Sequence, residues 1–116
     1  MNITSYPSRS FEVGIKTKKI IKDCAKIYLE PNEQVTFTTS EGSEYDVVRK
    51  SWGYYATPSL NHRLLKFDLR GALIKTSDNK YHIVLVESKK QAEFIQYLIA
   101  DDHLLVRWLD SPWAVE

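Results

Sequence analysis

The chain has a single cysteine, Cys24, and only four glycines in 116 residues. One cysteine forms no internal disulfide, and an unpaired thiol is kept most easily in a reducing compartment, so the sequence reads as cytoplasmic. The few glycines leave no G-x-G-x-x-G, no G-x-x-x-x-G-K and no G-x-S-x-G. Their absence argues against a phosphate-cradling loop and a nucleophile elbow. C-x-x-C and H-E-x-x-H are missing too, and His62, His82 and His103 stand about twenty residues apart. That spacing favours no metal site, and no cofactor is expected. No apolar run approaches the ~20 residues of a membrane span. The N-terminus lacks the basic and then apolar regions of a secretory signal, so no membrane partner is expected.

What is present is ordinary in bulk. Hydrophobic residues make up 43% of the chain and charged residues 27%, with a net charge of +1. This is the composition of a soluble globular protein of one domain. A chain of this length is expected to bury roughly two-thirds of its unfolded surface without a staple. Residues 1–75 carry +4 and residues 76–116 carry −3, an imbalance too small to declare a polyanionic partner.

Residues 1–14 are polar, with Pro7 and several serines, and read as a flexible N-terminal arm; residues 15–116 read as a single α+β domain. The segment 15–25 fits either helix or strand, while "CAKIYL" favours strand. "EPNE" is a turn, "QVTFTT" alternates with a period of two, and "SEGSE" turns at Gly42 into "YDVVR", which together suggest a hairpin. Gly71 inside "FDLRGALIK" implies a bulge or a close backbone approach. "YHIVLVE" is apolar from Ile83 to Val86 and reads as a central strand covered on both faces. Ser88 and Gln91 have capping-box spacing, and Ala92, Ile95, Leu98 and Ile99 form a helical stripe ending at Asp101 and Asp102. "LLVRWL" is a final strand. The expected fold is therefore α+β: one antiparallel sheet of about five or six strands, a helix at 88–100 packed on one face, and a last strand after it. If residues 88–100 form a crossover, that last strand should run parallel to its neighbour.

Cys24 has a nucleophilic reading, because Lys22 and Lys26 share its strand face, and a plainer one as a small core residue. His82 reads as a satisfied core histidine and His103 as a cation at a helix exit. The most unusual stretch is "KSWGYYATPSLNHRL". Its polar turn presents Asn61, His62 and Arg63, side chains suited to anion recognition and proton exchange. The same types also occur in plain solvated turns. Trp52, Tyr54 and Tyr55 fit core, a stacking platform or a subunit contact. From 49 to 75 there are six Lys/Arg and one acid, Asp68.

These features support a binding or accessory domain. It would recognise an anionic or sugar-like small ligand, or a partner protein, through Trp52, Tyr54, Asn61, His62, Arg63 and Arg70. The first alternative is an enzyme using His62 as general acid/base with Arg63 or Arg70 as an anion clamp. The second is single-stranded nucleic-acid binding across the sheet. A homodimer would be natural if the aromatics or a strand edge are uncovered.

Overall fold

The computed structural model of the protein describes residues 1–14 and 18–112, and the backbone alone at 6–9. The strands are β1 (Asn2–Val13), β2 (Lys19–Tyr28), β3 (Gln34–Thr38), β4 (Glu44–Lys50), β5 (Gly53–Ala56), β6 (Leu69–Lys75), β7 (Tyr81–Glu87) and β8 (Leu104–Trp108). A short helix α1 (Arg63–Lys66) precedes β6, and α2 (Gln91–Ala100) separates β7 from β8 after a 3-10 turn at Ser88–Lys90. The strands do not form the single expected sheet. They make three small ones: an N-terminal ribbon β1-β2, a central sheet β3-β4-β5 and a C-terminal sheet β7-β6-β8, all antiparallel. Period-two alternation fixes which residues share a face, but it leaves open which strands become neighbours.

Local turn chemistry accounts for the hairpins. Gly42 in the β3-β4 hairpin and Asn79 in the β6-β7 hairpin adopt φ of 91° and 66°, and Asn32, in the link from β2 to β3, a φ of 70°. These are left-handed conformations that asparagine and glycine tolerate. Residues 2–13, expected as a loose arm, pair with β2. Of the ambiguous stretch, residues 19–25 are strand, whereas 15–17 lie outside the described residues.

β7 is a second correction. It lies at the edge of its sheet, β6 is central, and Ile83 is 69% exposed. An apolar run does not distinguish a covered central strand from an edge strand with one apolar residue left open. β8 pairs with β6, on the side opposite β7, and runs antiparallel to it. The connection through α2 is thus not a parallel crossover. Gly71 serves a close approach: a Cβ there would stand 3.1 Å from Leu60 Cδ2 and 3.5 Å from Leu109 Cδ1.

Helix α2 lies on the C-terminal sheet, rotated from the expected stripe. Leu98 and Asp101 are buried and Phe94 half-buried against Trp108, their rings 5.8 Å apart, while Ile95 and Ile99 face outward. Residues 91, 94, 98 and 101 make the inward face, a spacing as helical as the expected one. The capping box does not form. Gln91 instead donates from Nε2 to the Ser88 carbonyl and accepts from Arg70 Nη1 at 3.1 Å. The helix stops where predicted, with Asp102 at φ 55°.

The buried apolar core is small. Leu69, Ala72 and Ile74 of β6 are buried together with Leu64, Val86 and Leu98, Leu109 lies beside Gly71, and Leu29 is buried just after β2. No helix among the described residues is long and apolar enough to cross a membrane.

Candidate functional site

The hairpin joining β4 to β5 carries the first of the expected site residues. Lys50 pairs with Gly53, so Ser51 and Trp52 form a two-residue turn, with Gly53 at φ 152° closing it. Trp52 therefore belongs to the turn and is 70% exposed, with Tyr54 at 64% and Tyr55 at 52%. Tyr54 sits opposite Arg49, and the guanidinium carbon lies 5.6 Å from its ring centroid. Tyr55 pairs with Val48 and so points to the other face. The aromatic set is exposed and is not core, and Tyr54 and Arg49 line a cleft against Lys26, Ile27 and Tyr28 of the N-terminal ribbon.

The polar turn does fold back on the sheet, through Arg63. Its Nη1 donates to Asp46 Oδ2 at 3.1 Å and its Nη2 to Thr57 Oγ1 at 2.6 Å. Asp46, 8% exposed, also accepts from Thr36 Oγ1 at 2.6 Å. The Thr36 hydroxyl and the Arg63 guanidinium hold this carboxyl below the ordinary aspartate value, against the opposing effect of its own burial. A carboxyl so depressed contributes stability above the unfolded value of ~3.9, and that stability is lost as pH falls through the folded value. Asp46→Asn is therefore expected to lower the unfolding midpoint at pH 7 and to flatten the acid limb below about pH 4. Urea titrations at pH 7, 4 and 3 measure this. An unchanged acid limb would show that Asp46 is not coupled to folding.

Asn61 and His62 are both exposed. Asn61 lines a cleft with Leu60, Leu109 and Pro112. Arg70 lies apart from them. It makes a two-bond pair with Asp110 (Nε to Oδ2 3.1 Å, Nη2 to Oδ1 3.0 Å) and lies 3.9 Å from the Trp108 ring centroid. With its bond to Gln91, this guanidinium ties β6, α2 and the end of β8 together. The six expected residues do not line one concave surface: Trp52 and Tyr54 share the hairpin tip, Arg63 is bound beneath the turn, and Arg70 is bound inside the C-terminal sheet.

Two further expectations change. Cys24, expected as core, is exposed on β2. His82, expected as core, is exposed on the edge strand. His103 stands at the helix exit as expected, its backbone N–H donating to the Leu98 carbonyl at 2.8 Å, and its ring packs edge-on to Tyr97. Among the described residues, no group of His, Cys, Asp and Glu could hold a metal ion.

No sequence pattern pointed to a cleft of ≈ 530 Å³ between the central and C-terminal sheets. Its apolar wall is the cross-strand pair Phe37 and Tyr45 on one side, with Leu69 and Leu85 on the other. At its rim Glu87 accepts from Thr39 Oγ1 at 2.8 Å and pairs with Lys90 Nζ at 3.0 Å. The Thr39 hydroxyl and then Lys90 hold the Glu87 carboxyl below its ordinary value. The alternation of Phe37 was legible, but its facing partner lies about fifty residues away.

Compared with protein-family models, curated proteins and solved structures, the chain shows no match.

Proposed function

We propose that the protein is a non-catalytic binding or accessory domain that contacts a partner protein through the 49–70 segment, with Trp52 and Tyr54 as the principal contact residues. The supporting observation is their exposure at a hairpin tip, 70% and 64%, beside a guanidinium stacked on one of them. Trp, Tyr and Arg are the side chains that dominate binding energy at protein interfaces. A protein partner is preferred to an anionic or sugar-like ligand because anion recognition needs guanidinium donors, and those of Arg63 and Arg70 already serve Asp46, Thr57, Asp110 and Gln91. The same engagement of Arg70 weakens the nucleic-acid alternative. The exposed position of His62 weakens the enzyme alternative.

A second reading is supported by the Phe37–Leu85 cleft. An apolar-walled cavity of this size, with a few polar groups at its rim, suits a small apolar ligand or a single apolar side chain. One experiment separates the two. Peptides selected from a random display library on the wild-type protein are expected to lose at least tenfold in affinity for Trp52→Ala/Tyr54→Ala and to keep it for Leu85→Ser. The reverse pattern would move the site to the cleft. A thermal shift with a sugar phosphate would restore the small-anion ligand.

A further inference from the structure

The β1-β2 ribbon has two unlike faces, fixed by its register. Ile3 pairs with Ile27, Ser5 with Ala25, Arg9 with Asp23, Phe11 with Ile21 and Val13 with Lys19, so these positions share one face, apolar at both ends with a charged pair near its middle. The opposite face carries Ile20, Lys22, Cys24, Lys26 and Tyr28, with Asn2, Thr4, Ser10 and Glu12 on the partner strand. The first face is thus richer in apolar residues; the second is the more polar one, although it also exposes Ile20 and Tyr28. Yet the apolar one is open: Ile3, Phe11, Ile21 and Ile27 are 55%, 49%, 43% and 39% exposed, and no residue of β2 is buried.

We infer that this apolar face is the contact surface between two copies of the chain. A two-stranded ribbon is marginal at best in water and needs its apolar face covered. The molecule as a whole exposes 8402 Å². A compact monomer of 13.5 kDa is expected to expose about 6,500 Å². Its radius of gyration of 16.0 Å likewise exceeds the ~13 Å of a compact chain this long. The surplus of about 1,900 Å² is more than the ~800 Å² that each partner loses in a stable interface.

Cover is needed whenever the chain folds, and a second copy is the one occupant always present in equal amount. The face is also self-complementary. Its apolar pairs Ile3/Ile27 and Phe11/Ile21 lie at equal distances either side of a centre between Asp23 and Ala25. A two-fold axis through that centre sets each pair against the unlike pair of the second copy, as an isologous interface requires. Ile27 also lines a cleft with Arg49 and Tyr54, but Ile3, Phe11 and Ile21 do not, and the assignment does not depend on the role of the aromatic tip.

The chain's single native thiol lies on the opposite face, so a cysteine exchange reads the arrangement directly. In sedimentation at 50 µM the wild type is expected at twice the chain mass. Phe11→Glu/Ile21→Lys, which keeps a cross-strand pair but removes the apolar end, is expected at the chain mass. Ile20→Lys, on the polar face, is expected to remain at twice the mass. Under mild oxidation Cys24→Ser/Ala25→Cys is expected to give a disulfide-linked dimer, and the wild type none. A monomeric wild type would overturn the proposal, with the ribbon then left for an unlike partner. So would a dimer that survives Phe11→Glu/Ile21→Lys, one that Ile20→Lys dissociates, or one that links through Cys24 and not through Cys at 25. The cross-linking arm stands even if the double charge variant fails to fold.

Discussion

Arg70→Ala is expected to cost about 3 kcal/mol of folding stability, the scale of breaking a part-buried ion pair by removing one partner. Three losses add in the same direction. Asp110 keeps a carboxylate whose side chain is only 13% exposed but loses both donors. Gln91 loses the donor that positions it at the start of α2. Trp108 loses the cation over its ring. Thermal unfolding should show a fall of roughly 10–15 °C. Arg70→Lys should recover less than half of it, because an ammonium cannot make the two-bond fork or the stack. Arg70→Met/Asp110→Leu should be more stable than either single loss, since no charge is left stranded. A loss below about 0.5 kcal/mol for Arg70→Ala, within the range of an ordinary surface substitution, would mean that the guanidinium is not part of the fold.

Leu64→Ala should cost about 3 kcal/mol, within the usual span for a buried leucine whose cavity does not collapse. Leu64 is 0% exposed and is the largest side chain buried to that degree among the described residues. It belongs to α1, a single helical turn placed against β6. A helix this short has no stability of its own, so its position depends on its side-chain contacts, Leu64 in the core and Arg63 on Asp46 and Thr57. The core has few other members, and the loss is a large share of the 5–15 kcal/mol typical of a folded domain. Urea unfolding measures it: the midpoint should fall with little change in slope, and Leu64→Met should restore most of the difference. An unchanged midpoint would remove α1 from the structural core.

Much of the local structure was legible in the sequence, because it depends on residues near one another in the chain. The turns at Asn32 and Gly42, the β3-β4 hairpin, the extended character of "YHIVLVE" and the end of α2 follow from backbone preference and short-range pattern. So does the shared face of Lys22, Cys24 and Lys26 on β2. What failed was assembly. An apolar run at 83–86 implied a covered central strand, yet β7 is an edge strand. A helical stripe at 92–99 implied one inward face, yet Trp108 and the buried end of the sheet draw Phe94 and Leu98 inward.

The candidate site shows the same division. The residue types at 49–70 were visible, and the aromatic tip follows from a two-residue turn. The engagement of Arg63 with Asp46, seventeen positions earlier, and of Arg70 with Asp110, forty positions later, was not visible. These pairings turn two apparent anion clamps into structural ties. The sequence by itself determined most of the strands after residue 30 and the turns at Asn32 and Gly42, since alternation and turn geometry act over a few bonds; it left residues 1–14 as a loose arm and 15–25 open between helix and strand. Only the tertiary structure decided that the strands divide among three sheets, which cations remain free, and that the ribbon's apolar face stays open. Each of these depends on contacts between residues far apart in the chain, whose loop-closure cost and packing no local pattern encodes.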